Sequence, residues 1–410
     1  MQGLKVRSRI AVLTAGVLLG TVGVVGCGGS DEAAQQGSSS EAAAKVENYE
    51  IGAALALTGD YAIFDQPMLE GLKVGIDDVN AQGPILGKYK LNLNVEDMRS
   101  DVGQAVVTTK ELLDRDMDFI FAPCQTDSAI AAGRLAQQAK MPAISTCASS
   151  PVLTSSVGDH MFGNYPADNF ESAATATYAR SKGYETAFVI ESSDTAYTEN
   201  IPKYFAKTFE TKGGKIAGRA SFSLSQQDFG PLVTRIKNLR PKADVINTGM
   251  FEPAFPAFMK QLRAAGVDTP VIATGGIDTP SVAALGDIMD GVVYPVQGFA
   301  KPGSKLAEFN EKLTERSGKE AVTNWATVGY DLALIMKEAL ETAKSAEPAA
   351  VRDAIAGMKD FQGIASPITY DYPGANGLPL RNFSLVRLEK GEKVLIEELS
   401  LDPADVPKPF

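Results

Sequence analysis

Residues 49–97 read YEIGAALALTGDYAIFDQPMLEGLKVGIDDVNAQGPILGKYKLNLNVED, and this stretch decides the fold class. It opens with an apolar, β-rich run, 49–57, and ends with a run in which apolar and polar residues alternate, 91–97. Between the two runs, apolar residues recur at the spacing of one helical face: Leu69, Leu72, Ile76 and Val79. A strand, a helix and a second, half-exposed strand in this order predict a βαβ unit with parallel strands.

The same alternation continues along the chain. Helix-like segments separate six further β-rich runs: Phe119 to Ala122, Ala143 to Thr146, Thr186 to Glu191, Ala243 to Thr248, Val271 to Thr274 and Gly291 to Val296. Repeated βαβ units predict parallel sheets that are covered by helices on both faces. Because no long linker interrupts them, we expect an α/β protein of two interwoven lobes, each a parallel-rich sheet flanked by helices. A late helical segment, 328–339, is expected to return to the first lobe.

The N-terminus has the pattern of a secretory signal. Basic residues precede an apolar run at 10–25, which ends in Val-Val-Gly-Cys and so looks like a bacterial lipobox. The alternative, a retained transmembrane helix, needs roughly 20 apolar residues, and this run is shorter. The sequence therefore predicts a signal peptide at 1–26 and lipidation of Cys27, which anchors the protein to the cell membrane on its extracytoplasmic side.

The remaining chain divides into a tether and a body. Residues 27–46 begin with Cys27, which would bear the lipid. The segment is rich in Gly, Ser, Ala, Gln and Glu, so we expect it to form a flexible tether. The body is longer than one hydrophobic core usually organises. We expect a first lobe at 47–166 plus 297–358 and a second lobe at 167–296 plus 359–410, with hinges where the chain crosses between them.

Composition and missing motifs narrow the function. The formal net charge of −11 disfavours nucleic acid as a partner. His160 is the only histidine, which excludes a metal site built on several histidines, and we expect it in a turn or at the surface. The chain also lacks a phosphate-binding glycine loop and a nucleophile elbow. We expect a monomer that is no enzyme and needs no cofactor or metal.

Polar residues follow two neighbouring strands of the predicted first sheet. Residues 123–128 read PCQTDS after one strand, and 147–151 read CASSP after the next. Ligands of open α/β sheets bind beyond the carboxyl ends of the strands, where helix N-termini offer free N–H groups. The two clusters either cap helices and turns or grip a carboxylate or amide. Cys124 and Cys147 lie in these clusters, and the sequence leaves open whether they form a disulfide.

Short motifs along the body give it a family resemblance. They are Leu57-Thr58-Gly59, Glu70-Gly71-Leu72, Asp77 to Gly83, Phe229-Gly230-Pro231-Leu232, Leu262 to Gly266 and Tyr330. In order and spacing they resemble the leucine/isoleucine/valine-binding proteins, the type I periplasmic binding fold of ABC importers. The resemblance implies a small-molecule ligand, captured when two lobes close, and a membrane permease as partner.

The resemblance also implies where the ligand is held. The family's contact positions fall on Thr126, Cys147, Ser149, Phe64, Tyr197 and Phe251, with Gln125 replacing Thr126 if the register slips by one. Thr126, Cys147 and Ser149 would hold the polar end of the ligand, Cys147 through its backbone. The aromatic residues would cover the ligand from both lobes.

One departure affects the identity of the ligand. Amino-acid binders of this family carry a carboxylate after the strand at 271–274, where it pairs with the ammonium of the ligand, but this chain has Gly275 and Gly276 there. Either Asp278 or Glu252 supplies that charge, or the ligand is not an amino acid. We expect a branched-chain type of amino acid or a related carboxylate or amide. A ligand-sensing subunit that signals to a receptor would use the same cleft.

Overall fold

A computed structural model of the chain describes residues 45–318 and 323–410. The predicted signal peptide, Cys27 and nearly all of the tether lie outside the described residues. Within the described part, none of the helices combines the length and the apolar character that a membrane span requires.

The first sheet has five parallel strands in the order β2-β1-β3-β4-β5. Its strands are β1 Glu47–Leu55, β2 Tyr89–Asp97, β3 Phe119–Ala122, β4 Ala143–Ser145 and β5 Met161–Gly163. Helices connect the first four strands: α1 Ala62–Ala81, α2 Val102–Leu113 and α3 Thr126–Ala139. The half-exposed pattern of β2 is explained by its position at the edge of the sheet.

The second sheet has seven strands in the order β14-β13-β10-β9-β8-β6-β7. Its parallel strands are β6 Thr186–Glu191, β7 Lys215–Ser221, β8 Val245–Thr248, β9 Val271–Ile272 and β10 Val292–Val296. The helices among them are α4 Asp168–Ser181, α5 Ala196–Thr211, α6 Gly230–Asn238, α7 Ala254–Ala264 and α8 Pro280–Ala283. The antiparallel strands β13 Phe383–Glu389 and β14 Glu392–Leu399 complete one edge. The predicted α/β class with parallel-rich, helix-flanked sheets is confirmed.

After β10 the chain returns to the first sheet. It forms α9 Lys305–Ser317, α10 Trp325–Ala343, α11 Pro348–Ala356 and a small hairpin of β11 Phe361–Gln362 and β12 Pro367–Ile368. Helix α10 packs directly on α1. The late helical segment, 328–339, was expected to return to this part of the protein. Two glycines allow this close packing: a Cβ at Gly71 would lie 1.8 Å from the Ala326 carbonyl oxygen, and one at Gly329 would lie 1.9 Å from the Met68 carbonyl oxygen.

The segment after α11 packs on the first sheet, beyond the predicted lobe boundary between 358 and 359. Ile368 and Tyr370 are buried in the core under the first sheet, and the Tyr370 hydroxyl donates to the Gly163 carbonyl at 2.6 Å. The chain joins the second sheet only at Phe383. The apolar residues of this segment have their partners in the first lobe, which keeps it there. The lobe boundaries themselves stay a prediction.

A buried ion pair joins the connections between the sheets. The Arg381 guanidinium donates to the Asp331 carboxylate of α10, and both side chains are fully buried. Arg381 also donates to the Asn164 carbonyl at 3.3 Å, and the Asn164 amide donates to the Val328 carbonyl at 2.8 Å. Arg381 and Asn164 lie in two of the segments that connect the sheets, so both segments are bonded to α10.

Candidate ligand-binding site

A cavity of about 120 Å³ opens at the carboxyl ends of strands from both sheets. Seven of the eight predicted ligand contacts line it: Phe64, Gln125, Thr126, Cys147, Ser149, Tyr197 and Phe251. They come from five separate stretches of chain, and the fold brings them together because parallel strands end at one edge of each sheet.

The start of α3 forms one wall of the cavity. Gln125, Thr126 and Asp127 line the cavity there, and within the described residues no side chain caps this end of the helix. The first N–H groups of a helix have no partner in the helix, and the helix dipole makes this end partly positive. The wall therefore offers hydrogen-bond donors to a carboxylate or another acceptor.

A disulfide between Cys124 and Cys147 ties the loops after β3 and β4 together. The sequence left this pairing open, and the structure forms it with both cysteines on the cavity wall. The Ser145 hydroxyl adds a second tie, since it donates to the Pro123 carbonyl at 2.7 Å and accepts from the Ala148 N–H at 2.9 Å. The positions of Thr126 and Ser149 are therefore fixed relative to each other.

Asp65 supports the same two loops from behind. Its fully buried carboxylate accepts from the Ala56 N–H at 2.9 Å, the Thr146 hydroxyl at 2.8 Å and the Cys124 N–H at 3.3 Å. Burial raises the pKa of Asp65 to about 6, against the lowering effect of these three donors. The predicted helical face begins at Leu69, so the sequence did not identify Asp65 as a support for these loops.

Aromatic rings cover the cavity from both lobes. The Phe64 ring lies 5.9 Å from the Phe251 ring and 5.2 Å from the Trp325 ring, and the Tyr197 ring lies 6.1 Å from Phe251. Phe64 belongs to α1 of the first lobe, whereas Phe251 and Tyr197 follow strands of the second sheet. The aromatic rings of the two sheets' loops and helices therefore contact one another at the cavity.

Sequence reasoning missed three further aromatic residues of the lining: Tyr61, Tyr165 and Trp325. The Tyr165 ring lies 5.6 Å from the Trp325 ring. Tyr61 lies two residues after the Leu57-Thr58-Gly59 motif, so the sequence offered a signal for it, whereas Trp325 starts a helix that lies far in sequence from the strand ends at the cavity. Only the return of α10 to the first lobe brings it to the site.

Asp278, the eighth predicted contact, does not line the cavity. Its buried carboxylate accepts from the Tyr294 hydroxyl at 3.0 Å, the Asn324 N–H at 2.6 Å and the Lys393 ammonium at 2.8 Å. A 3₁₀ turn after β9 directs this side chain toward the start of α10. Glu252, the other proposed source of negative charge, accepts from the hydroxyls of Thr279 and Ser281. It is also absent from the cavity lining.

Two buried carboxyl groups stand behind the cavity wall instead. The Asp168 N–H donates to the Ser149 carbonyl at 2.8 Å, and the Glu171 carboxyl accepts from the Gly275 N–H at 3.1 Å. Burial raises the pKa of Asp168 to about 7 and that of Glu171 to about 8, the latter also because Asp168 is nearby. Acidic residues are common in the first turn of a helix, so the sequence did not single them out.

Comparison with known proteins assigns the chain to a family. A family model described as periplasmic binding protein matches residues 48–393. The chain belongs to this family. The resemblance to leucine/isoleucine/valine-binding proteins is confirmed, and this periplasmic binding protein is a solute-binding protein of the ABC-transporter type rather than an enzyme.

His160 lies in a turn, is buried, and contacts Asp159 at 2.8 Å.

Three relatives illustrate the similarity. The Leu/Ile/Val-binding protein BraC3 of Rhizobium johnstonii is 25% identical over 351 residues, which are 85% of this chain and 93% of that protein. The branched-chain amino acid transporter substrate-binding protein LivJ of Streptococcus pneumoniae, solved with isoleucine, has a TM-score of 0.76 at 20% identity and covers 87% of this chain and 100% of its own. A solute-binding protein of Rhodopseudomonas palustris, solved with 3,4-dihydroxybenzoic acid, has a TM-score of 0.75 at 23% identity, with 88% and 99% covered.

Proposed function

We propose that this protein is the lipid-anchored solute receptor of an ABC importer, which captures a small carboxylate or amide by closing its two lobes. A branched-chain type of amino acid is the leading ligand. The protein then presents the loaded cleft to a membrane permease. Ligand binding shifts the population toward the closed form because the ligand contacts both lobes only in that form.

The observation that carries this proposal is the division of polar and apolar groups in the cavity. Donors converge at the start of α3, where Thr126 lies, and in the loop that holds Ser149. Opposite them, Phe64, Tyr197 and Phe251 offer an apolar surface. A small molecule with a carboxylate at one end and an apolar body fits this division.

A second ligand class, the aromatic carboxylates, has its own support. Six aromatic residues line the cavity: Tyr61, Phe64, Tyr165, Tyr197, Phe251 and Trp325. Aromatic rings pack well against an aromatic ligand in offset or edge-to-face geometry. One structural relative was solved with an aromatic acid, and another with isoleucine.

The test is a binding screen of the body, residues 45–410. Leucine, isoleucine, valine, leucinamide, 4-methylpentanoate and 4-hydroxybenzoate are titrated while the unfolding temperature and the heat of binding are measured. A ligand at roughly 100 times its dissociation constant should add about 2.7 kcal/mol to the free energy of unfolding. A flat response to all six compounds contradicts the proposal.

Site variants show whether the cleft is where binding occurs. Thr126→Ala and Ser149→Ala should each weaken binding about tenfold, since each removes one hydrogen bond of about 1 kcal/mol or more to a charged group. Thr211→Ala is the matched control, because Thr211 is exposed and its hydroxyl donates to the Lys207 carbonyl within α5. Equal affinities for all three variants would remove Thr126 and Ser149 from the site.

Anchoring and transport are tested in cells. Cys27→Ser should release the protein from the membrane fraction, because the thiol that would carry the lipid is gone. Deletion of the protein should abolish uptake of the radiolabelled ligand, and the wild-type chain should restore it. Unchanged uptake with loss of a transcriptional or chemotactic response would favour the alternative, a sensing subunit that uses the same cleft.

A further inference from the structure

Asp278 lies next to the cavity but outside its lining, between two parts of the fold. The residue is 2% exposed and follows the 3₁₀ turn Gly275–Ile277, which comes after β9 of the second sheet. Gly276 of the same turn lines the cavity. A carboxylate that is buried this deeply needs several hydrogen-bond donors or a cation, so its partners indicate what it holds together.

The two carboxylate oxygens of Asp278 face different parts of the protein. Oδ1 accepts from the Tyr294 hydroxyl of β10 at 3.0 Å and from the Lys393 ammonium of β14 at 2.8 Å, and both strands belong to the second sheet. Oδ2 accepts from the Asn324 N–H and from the Asn324 side-chain amide, each at 2.6 Å. Asn324 directly precedes α10, which packs with α1 on the first sheet. One buried carboxylate therefore bonds the second sheet to a helix of the first.

The Asn324 side chain bonds the second sheet rather than its own helix. Asn324 stands at the N-cap position of α10, where an asparagine side chain commonly accepts from an N–H of the first turn, but within the described part of the chain it makes no such bond. Its oxygen accepts instead from the Gln297 N–H at 3.2 Å, directly after β10. The Asp278 carboxylate lies at this helix end, where the helix dipole favours an anion.

The same contact orients Trp325, which lines the cavity. The indole N–H of Trp325 donates to the Asp278 carbonyl at 3.1 Å. Its ring lies 5.2 Å from the Phe64 ring and 5.6 Å from the Tyr165 ring. An indole has only this one N–H donor, so the bond to Asp278 fixes the direction of the ring. The position of a cavity ring on α10 thus depends on a residue that follows a strand of the second sheet.

We propose that Asp278 is a latch that holds the two lobes closed without touching the solute. The latch consists of its bonds to Asn324 and Trp325. Lobe opening moves α10 away from the turn after β9 and breaks these bonds, whereas the bonds to Tyr294 and Lys393 lie within the second sheet and persist. Asp278 is thus a positioning residue that sets solute affinity through the closed form. The inference rests on the proposed function, because it concerns closure of the same cleft.

The latch acts in the empty protein as well, because no atom of the solute takes part in it. It keeps part of the solute-free population closed, and a solute that requires the closed form then binds more tightly. Breaking the latch lowers the closed fraction, and the apparent affinity falls by the same factor. Since the lost hydrogen bonds are made to a charged acceptor, that factor should be at least about ten.

The first experiment needs no solute. Trp325 is the only tryptophan of the chain, so its fluorescence reports on this contact. In residues 45–410, Asp278→Asn should raise acrylamide quenching of this fluorescence at least about twofold, and small-angle X-ray scattering should show a larger radius of gyration. Asn324→Ala is a second, milder variant that keeps the carboxylate, and it should shift both quantities in the same direction. Circular dichroism checks that each variant is folded.

Titration with leucine is the second experiment. Asp278→Asn should weaken leucine binding at least about tenfold, through faster release rather than slower association, because the latch bonds form only once the lobes are closed. Asp244→Asn is the matched control. The Asp244 carboxylate also accepts from several donors, including the N–H groups of Glu185 and Thr186, but these lie at the start of β6 in the same sheet. This control should change neither the quenching nor the affinity.

The contrary outcomes are distinct. Equal quenching in the wild-type protein and in both latch variants overturns the inference, whether or not a solute binds. Raised quenching with an unchanged radius of gyration also overturns it, because the change is then local to Trp325. An unchanged leucine affinity in Asp278→Asn overturns it as well, yet leaves the proposed function standing. If none of the six compounds binds the wild-type protein, the proposed function fails, and quenching and scattering still decide the inference.

Discussion

The disulfide between Cys124 and Cys147 gives the sharpest quantitative prediction. The perturbation is the double variant Cys124→Ser/Cys147→Ser, which removes the bond and keeps two small polar side chains. The two cysteines are 23 residues apart, and closing a loop of that length in the unfolded chain corresponds to about 3 kcal/mol in the chain-entropy model. The free energy of unfolding should fall by that amount.

The fold itself should survive this change. Asp65 still brackets both loops, and the Ser145 hydroxyl still joins them. Urea unfolding followed by circular dichroism measures the loss. The wild-type protein treated with a reducing agent should show the same loss, and the double variant should not respond to that agent. A change below about 1 kcal/mol would refute the loop-closure reasoning. Ligand affinity should also fall, because Thr126 and Ser149 lie on the two loops.

Three further predictions concern the scaffold and its titration. Gly71→Ala drives a methyl group into a backbone carbonyl of α10 and should lower the free energy of unfolding by at least about 1–3 kcal/mol, whereas Gly103→Ala, which meets only a flexible carboxylate oxygen, should change it by less than about 0.5 kcal/mol. Arg381→Met should cost about 3–5 kcal/mol in urea unfolding because it leaves Asp331 buried and unpaired, and adding Asp331→Leu should restore most of the loss. The Asp65 carboxyl has a raised pKa in the folded state, so its contribution to stability is complete below pH 3.8 and is lost as the pH rises through about 6; Asp65→Asn should flatten this part of the profile of unfolding temperature against pH.

The periodicity of the sequence predicts the strands that lie inside the sheets. The runs at 119–122 and 186–191 coincide with β3 and β6, because continuous apolar runs are required where both faces are covered by helices. The strands β5, β7, β13 and β14 of the two main sheets were missed, as was the small hairpin of β11 and β12. Charged and partly exposed side chains dominate β7 and β14, so no apolar run marks them, and an antiparallel hairpin interrupts the βαβ pattern that guided the prediction.

The cavity could be predicted only in part. Thr126 and Ser149 follow strands that the sequence identifies, and the carboxyl ends of neighbouring parallel strands meet at one edge. Trp325 could not be found this way, since it reaches the cavity only because α10 packs back on α1. Hydrophobic periodicity predicts a helix, but it does not predict which distant part of the chain the end of that helix will contact.

The central claim is that a small solute binds between the lobes, with its carboxylate against the start of α3. A crystal structure of residues 45–410 with the tightest-binding compound of the screen tests this most directly. We expect the ligand carboxylate within hydrogen-bond distance of Thr126 and Ser149, and its apolar part between Phe64 and Phe251. A ligand bound outside the cleft, or one whose carboxylate faces the second lobe, would contradict the account.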